Sequence, residues 1–365
     1  MIDRKSPIPL YQQLFTIIKQ KIISGALPVG SKLPGEDEIV THYDVSRTTV
    51  RQAIESLVQE GLVSKQQGKG TFVLANRPKQ FQNQKIKKSI AFLLPDLMQE
   101  YINNIAASVV SKVGTYLQDN NFNLVLAQSG YSLNNENRLL ENLAVDNAGI
   151  IWMPEDEPYR SPNHTAFKLV SDGYPLLLFD KTIKGLDTGY VITDNYGSIT
   201  NVVQHLISLG HKYIAFVGTP HDAPTSAEDR LQGFLYTIAK NGLPINYNWI
   251  FPEGEENLQK LLLLLSETEH PTAVVCKDDI NAIKVIEKAM SVGIEIPSEL
   301  SVTGFDDLEL KYYNMRLTTA RQDPELLGKI VAEQIVMAIN NSLPLGKVVV
   351  PAPLIIGNTT TAPNI

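Results

Sequence analysis

The sequence predicts an α/β protein in which an N-terminal winged helix-turn-helix precedes two doubly wound lobes. In the first 75 residues, apolar side chains recur at helical spacing and two short strand-like runs follow. From residue 89 onward, continuous apolar runs alternate with helical patterns, as in parallel sheets covered on both faces. The first 88 residues carry 14 Lys and Arg against 7 Asp and Glu, a net charge of +7, whereas the remainder carries −14. The basic end is therefore expected to meet a polyanion.

Length and composition indicate a globular protein of two to three domains. The chain has 365 residues, of which 43% are hydrophobic and 19% charged, so a disordered or collagen-like protein is excluded. The longest aliphatic run, 261–265, is far shorter than the ~20 residues that cross a bilayer, and the charged start lacks the apolar region of an export signal. The lone Cys276 fits a reducing compartment. We expect a cytoplasmic protein with no membrane partner.

Three helices are predicted in the basic segment. Residues 9–24 carry apolar side chains at three- and four-residue spacing, and Gly25 ends the pattern. A second helix is expected at 36–42, after the turn 33–35. A third begins after Ser46, a favourable N-cap, and its apolar face ends before Gly61. The short gap between the second and third helices is typical of a helix-turn-helix.

The third helix has a polar face in its first turns, formed by Arg47, Thr48, Arg51 and Gln52. These turns of a recognition helix reach base edges in the major groove, where Arg pairs with guanine and Gln with adenine. Two Arg residues at this spacing would ordinarily indicate only a solvated face. However, the strand-like runs 62–65 and 71–74 flank a Gly-containing tip at 66–70, which predicts a β-hairpin wing directly after this helix.

The segment 33–73, LPGEDEIVTHYDVSRTTVRQAIESLVQEGLVSKQQGKGTFV, resembles the DNA-binding domain of the GntR family of bacterial regulators. The resemblance implies that Arg47, Thr49 and Arg51 contact DNA from the recognition helix. For Thr49, packing inside the domain remains an equal alternative. Asp37 departs from the family, which commonly has Arg at this position. The predicted DNA-binding residues, including the wing, are Arg47, Thr48, Thr49, Arg51, Gln52, Gln67, Gly68 and Lys69.

The charge change and the apolar runs divide the chain. We predict a DNA-binding domain at 1–75, a linker at 76–88 and an effector-binding domain at 89–365, with lobes near 89–190 and 191–320 and a C-terminal part that crosses between them. Four strand runs are predicted in each lobe: 89–96, 123–129, 149–155, 175–181, and then 213–220, 249–252, 272–278, 300–307. In such sheets ligands bind beyond the carboxyl ends of the strands, so the cleft between the lobes is the expected site.

Polar side chains stand where these strands end: Asp96, Gln128, Glu155, Asp180, Lys181, Asp278, Asp306 and Asp307. Asp also caps helices, and we favour this simpler role for Asp96, Glu155, Asp279 and Asp307. Carboxylates in a cleft accept hydrogen bonds from vicinal hydroxyls, and Arg donates to the same groups. The set therefore favours a sugar as the ligand.

The second part of the chain resembles the effector domain of the LacI family and its periplasmic sugar-binding relatives. The matching stretches are 191–195, 205–220, 229–234, 272–279, 296–308 and 317–323. The resemblance implies that Arg230, Asp278 and Asp306 bind effector, that Tyr101 stacks on a sugar face, and that Asp194 and Gln322 lie near the crossovers. Asp278 replaces a usual Asn, and the extra carboxylate disfavours an acidic effector. The candidate effector-binding residues are Tyr101, Gln128, Lys181, Asp194, Arg230, Asp278, Asp306 and Gln322.

The combination of the two domains resembles the arabinose-repressor subgroup of regulators. It implies a homodimeric repressor that a small sugar, favoured to be an arabinose-like pentose, releases from double-stranded operator DNA. Two alternatives share the α/β architecture, namely a cytoplasmic or exported sugar-binding protein and a sugar-acting enzyme. The sequence contains no GxxxxGK[ST], GxGxxG, GxSxG or CxxC motif and no metal-ligand spacing among its six His. We therefore expect no catalytic activity, cofactor or metal.

Overall fold

The computed structural model describes residues 2, 4, 9–23, 25–66, 68–74, 87–96, 103–155, 164–218, 225–308, 315–341 and 343–364. The predicted linker, 76–88, lies almost entirely outside these residues, and so do Gln67 and Tyr101. None of the described helices is both long and apolar enough to cross a membrane.

The N-terminal domain packs three helices against a hairpin. The elements are α1 (Leu10–Ile23), α2 (Glu36–Tyr43), α3 (Arg47–Gln59), β1 (Val63–Gln66) and β2 (Gly70–Val73), with β1 and β2 antiparallel. Ser46 caps α3 by accepting a hydrogen bond from the Thr49 amide at 3.1 Å, which confirms the predicted N-cap. The apolar faces of α1 and α3 meet in one core that includes Leu14, Ile18 and Ile54. Burying these faces leaves the polar face of α3 outside.

The first lobe is built on a parallel sheet. Its strands are β3 (Ser89–Leu94), β4 (Asn123–Gln128), β5 (Ile150–Trp152), β6 (Leu176–Phe179), β7 (Tyr190–Thr193) and β13 (Lys347–Val350), in the order β13-β7-β6-β5-β3-β4. The helices α4 (Asn103–Asp119) and α11 (Pro324–Asn341) cover one face, and α5 (Leu133–Asp146) and α6 (His164–Ser171) cover the other. Both faces of β3 are therefore buried: Phe92 points to one core and Leu93 to the other.

The second lobe repeats this plan. Its strands are β8 (Ile214–Val217), β9 (Ile250–Phe251), β10 (Ala273–Cys276), β11 (Ser301–Asp306), β12 (Thr318–Arg321) and β14 (Leu354–Ile355), in the order β14-β12-β11-β10-β8-β9. All neighbours are parallel except β14, which runs antiparallel to β12. The helices α7 (Asn195–Ser208) and α8 (Thr225–Lys240) cover one face, α9 (Glu255–Leu264) and α10 (Asp279–Ser291) the other, and a 3₁₀ turn spans Tyr247–Trp249.

The chain passes between the lobes at three crossovers, 194, 322–323 and 351–353. The crossovers are tied together, since the Asp194 amide donates to the Val350 carbonyl at 2.8 Å and the Arg321 amide to the Pro353 carbonyl at 2.9 Å. The predicted fold class is confirmed. The described sheet of each lobe has six strands rather than the four that the apolar runs predict. The strands missed, β7, β12, β13 and β14, lie next to the crossovers, and β7 and β13 alternate between buried and more exposed positions.

The N-terminal domain rests on the first lobe through α1 and α6. Lys19 is 3% exposed, and its Nζ lies 3.0 Å from Glu60 Oε2 within the domain and 3.6 Å from Asp172 Oδ1 of the lobe. A groove of about 750 Å³ runs beside this contact, lined in part by Ile23 of α1 and by Phe167 and Pro344 of the lobe. The ion pair therefore links α1 to the residue that follows α6.

Candidate functional site

The outer face of α3 carries four of the predicted DNA-binding side chains. Arg47, Thr48, Arg51 and Gln52 are exposed, because Val50, Ala53, Ile54 and Leu57 occupy the opposite face and are buried. Gly68 and Lys69 are exposed at the tip of the β1–β2 hairpin. Thr49 is half-buried, with its hydroxyl 2.8 Å from the Ser46 hydroxyl. This geometry presents a continuous polar surface on a helix and a wing.

Two carboxylates of α2 contact the arginines of α3. An Asp37 Oδ1–Arg47 Nη2 pair spans 2.6 Å, and a Glu36 Oε2–Arg51 Nε pair spans 3.0 Å. Exposed ion pairs contribute less than about 1 kcal/mol, so the arginines can exchange these partners for bases or phosphates at small cost. The sequence singled out Asp37 as a departure, but its partner depends on how α2 and α3 cross and could not be identified from spacing.

A cavity of about 170 Å³ lies between the lobes at the carboxyl ends of their strands. It contains five of the predicted effector-binding residues, Lys181, Arg230, Asp278, Asp306 and Gln322. The other lining residues are Ile105, Ala106, Met153, Phe179, Asp180, Ser226, Ala227, Lys277 and Ile280. Both lobes therefore contribute polar groups to one small cleft, with apolar side chains between them.

Arg230 is held rigidly in the wall of this cavity. It extends from α8 and is 8% exposed. Its Nε donates to Asn195 Oδ1 at 2.8 Å and its Nη1 to the Lys277 carbonyl at 2.6 Å. The guanidinium also lies 3.7 Å from the ring centroid of Phe305, a cation–π contact. These contacts orient the remaining donors of the guanidinium before any ligand arrives.

Two carboxyl groups on this side of the cleft hold protons unusually strongly. Burial raises the pKa of Asp306 to about 8, although the nearby positive charge of Arg230 opposes the rise. Burial likewise raises the pKa of Asp279 to about 7, against the hydrogen bond from Thr319. Asp306 also has a φ of 123°, which L residues rarely adopt and which costs on the order of 1–3 kcal/mol. Such strain concentrates at binding sites.

The helix-capping role expected for Asp279 is wrong. Strand β10 ends at Cys276, so the cap of α10 is Asp278, which accepts a hydrogen bond from the Asn281 amide at 2.8 Å. Asp279 is instead fully buried, accepting from Thr319 Oγ1 and from the Leu308 amide, each at 2.6 Å. Asp278 thus combines capping with a place in the cavity wall.

The structure does not bring every candidate into the cavity. Gln128 is exposed at the end of β4, which is the edge strand of its sheet and ends away from the centre of the cleft. Asp194 is the N-cap of α7, accepting from the Gly197 amide at 2.8 Å. Among the cavity residues and their partners, sequence reasoning did not select Lys277, Asn195 or Thr193 for the effector site. The stretch 191–195 was noted, but the directions of its side chains depend on the first crossover.

Polar contacts also surround other strand ends. Asp307 pairs with Arg321, at 2.5 Å between Oδ2 and Nε, and the buried Glu155 carboxylate contacts the Ser129 hydroxyl. In the described part of the chain, no three His, Cys, Asp or Glu side chains converge as a metal site would require.

Comparisons with known proteins match the two parts of the chain separately. Residues 10–73 match the model of bacterial regulatory proteins, gntR family, and residues 203–360 match that of the periplasmic binding protein-like domain. The chain is 28% identical over 370 residues to an arabinose metabolism transcriptional repressor of Geobacillus stearothermophilus, covering 98% of this chain and 99% of the relative.

Two solved structures share the fold. A dimeric Lac repressor is 23% identical with a TM-score of 0.64, covering 75% of this chain and all of that one. A transcriptional regulator CelR–cellobiose complex is 20% identical with a TM-score of 0.64, covering 90% of this chain and all of that one. The chain joins a gntR-family helix-turn-helix domain to a periplasmic binding protein-like domain.

Proposed function

We propose that this protein is a sequence-specific transcriptional repressor, a cytoplasmic homodimer that a small neutral sugar releases from double-stranded operator DNA. One observation carries the proposal: the chain presents an outward-facing basic recognition helix and, in a separate cleft, a prearranged Arg230 that lines the same cavity as Asp306. The first suits a polyanion and the second suits a ligand with adjacent hydroxyls.

The DNA-binding role is supported by α3 and the wing. Arg47 and Arg51 lie in the first turns of α3, where side chains of a recognition helix meet base edges in the major groove. Lys69 at the hairpin tip is suited to a phosphate contact. A two-fold dimer would place two such surfaces on successive major grooves of a pseudo-palindrome. A solved Lac repressor variant with a C-terminal deletion, which shares the fold, is dimeric, and this supports the arrangement.

The effector role is supported by the size and polarity of the cleft. Its volume of about 170 Å³ equals roughly six water molecules at liquid density, which suits a monosaccharide. Arg230 supplies donors and Asp306 supplies an acceptor, and the extra carboxylate of Asp278 disfavours an acidic ligand. The relative that covers nearly the whole chain is named for arabinose metabolism, so we propose an arabinose-like pentose.

Release of the operator DNA follows from closure of the two lobes around the sugar. A ligand can shift this equilibrium only through its different affinity for the open and closed forms. The expected coupling is ~1–3 kcal/mol, which lowers operator affinity by ~5- to 150-fold. We propose ligand binding without turnover, because Arg230 is already tied by its hydrogen bonds to Asn195 and Lys277 and the relatives are repressors.

The test is fluorescence anisotropy with duplexes from the promoter region next to the protein's own coding sequence. Binding should weaken steeply as salt increases, and L-arabinose, D-xylose, D-ribose and D-galactose are then added in turn. We expect one pentose to release the duplex. Binding that ignores both salt and sequence would contradict the DNA-binding role, and consumption of a sugar, followed by NMR, would favour the enzyme alternative.

A further inference from the structure

Two hydrogen bonds join the crossovers to the cleft through Gln322. Thr193 Oγ1 donates to Gln322 Oε1 at 2.6 Å, and Gln322 Nε2 donates to Asp306 Oδ1 at 2.7 Å. Thr193 and Gln322 are 4% and 8% exposed, so water does not compete freely for these bonds. Thr193 is 129 residues from Gln322 in the chain and is not among the residues that line the cavity.

A second path returns from the cleft to Thr193. The positive charge of Arg230 acts on the Asp306 carboxyl, and Arg230 Nε donates to Asn195 Oδ1 at 2.8 Å. Asn195 Nδ2 then donates to the Thr193 carbonyl at 3.1 Å. Four hydrogen bonds thus connect Asp306, Gln322, Thr193, Asn195 and Arg230 in a chain, and the charge of Arg230 acting on Asp306 completes what we call the polar ring.

The ring spans the joint between the lobes. Thr193 ends β7 of the first lobe, and Asn195 opens α7 of the second, so the first crossover lies between them. Gln322 lies on the second crossover, between β12 and α11. Asp306 and Arg230 line the cavity. A change of angle between the lobes therefore moves members of the ring relative to one another.

The chemistry of Gln322 makes the two halves of the ring depend on each other. The amide oxygen can only accept and the amide nitrogen can only donate. While Nε2 donates to Asp306, Oε1 accepts the hydrogen bond that Thr193 Oγ1 donates. If a ligand draws Asp306 to a new position, Gln322 must either follow or leave a buried group unpaired, which is unfavourable.

We propose that this ring transmits ligand contact at Asp306 and Arg230 to the angle between the lobes, with Thr193 acting as a positioning residue that does not touch the ligand. The proposal rests on the proposed function only in placing an effector in the cleft. It predicts that Thr193 affects the response to ligand more than the affinity for ligand.

The test compares Thr193→Val, which keeps the shape but removes the donor, with Thr193→Ser, which keeps the donor. Thr237→Val is the matched control, because Thr237 is likewise buried but lies in the second lobe, and its hydroxyl donates within its own helix, to the Gly233 carbonyl at 2.7 Å. Thr193→Ala serves if the valine variant does not fold, as judged by circular dichroism. Full-length protein is used throughout.

The first measurement needs no ligand. Spin labels at Val145→Cys and Leu263→Cys, both strongly exposed and on different lobes, report the inter-lobe distance by electron–electron resonance, while Cys276 is buried. We expect Thr193→Val to broaden the distance distribution, whereas Thr193→Ser and Thr237→Val keep the wild-type width. An unchanged width in Thr193→Val, or equal broadening in Thr237→Val, would overturn the ring as a control on the angle.

The second measurement adds L-arabinose. We expect Thr193→Val to bind it within about threefold of wild type, while its operator release falls by roughly tenfold, within the usual range of coupling. Release equal to wild type would refute the inference, and so would an equal loss in Thr237→Val. If wild-type protein itself ignores L-arabinose, the proposed effector is wrong, and the ligand-free distances still decide the role of the ring.

Discussion

The N-terminal domain and the inter-lobe cleft use arginine in opposite ways. Arg47 and Arg51 on α3 are more than half exposed, and each meets one carboxylate at the surface. Arg230 in the cleft is 8% exposed and is fixed by two hydrogen bonds and an aromatic ring. An exposed pair contributes little and exchanges partners easily, whereas a buried arginine is costly to disturb. The first arrangement suits exchange with DNA, and the second suits a fixed pocket.

Arg230→Met should have the largest effect. The change leaves Asn195 Oδ1 and the Lys277 carbonyl without their buried donor, which costs about 1–3 kcal/mol for each group, and it removes the cation beside Asp306. We expect loss of the sugar response and a lower urea midpoint, with operator binding retained. Lys240→Met, an exposed change at the end of the same helix, is the control. A normal sugar response in Arg230→Met would refute the assignment of the cleft.

Arg51→Ala should reduce specific DNA binding by about 1–3 kcal/mol and weaken discrimination at one base position. Its urea midpoint should stay near that of wild type, because the Arg51–Glu36 pair is exposed. The measurement is anisotropy with a set of single-base operator variants. Arg138→Ala, an exposed arginine of the first lobe, is the control. Unchanged affinity and base preference would show that α3 does not read bases.

Raising the pH should lower the free energy of unfolding, and we expect this effect to be smaller than those of the two substitutions. Burial raises the folded-state pKa of Asp306 to about 8 and of Asp279 to about 7, above the ordinary value of 3.8. The folded state then holds more protons than the unfolded state, so this stability is present at low pH and is lost as pH rises through the folded pKa values. Each group contributes at most about 1.4 kcal/mol per pH unit.

The change is measured by thermal unfolding from about pH 7 to 8, the upper part of that window, because little further loss follows above the folded pKa of Asp306. Above neutrality the histidines contribute little, since burial lowers the pKa values of His205 and His211 below 6.5. We expect the wild-type midpoint to fall and that of Asp306→Asn, which stays neutral, to fall less. Parallel curves for the two proteins would contradict the raised pKa of Asp306.

Asp37→Asn should have the smallest effect and the opposite sign. Removing the carboxylate frees Arg47 and removes a negative charge from the DNA-facing surface, so binding should strengthen by less than about 1 kcal/mol. If Arg47 then takes a phosphate, the salt slope steepens by about 0.9. Asp44→Asn, which alters an exposed carboxylate paired with Arg4, is the control. Weaker binding in Asp37→Asn would mean that Asp37 itself contacts the operator.

Local features were predictable from the sequence, and contacts between distant segments were not. The Ser46 cap and the buried face of α3 follow from short-range patterns. The rule that ligands bind beyond strand ends selected Asp278 and Asp306, whereas Arg230 came from the fold resemblance alone. The contact of Thr193 with Gln322 could not be predicted, because three crossovers bring these residues together. Strand β10 ends at Cys276, earlier than the predicted run 272–278, so the helix cap falls on Asp278 and not on Asp279.

The buried Lys19, between Glu60 and Asp172, joins the N-terminal domain to the first lobe. Since α1 contacts α6 of the first lobe, we expect the recognition helix to move together with that lobe when the angle to the second lobe changes. In a two-fold dimer, the distance between the two recognition helices would then depend on how the first lobes face each other across the axis. A sugar would weaken DNA binding to the extent that it changes the angle between those two lobes.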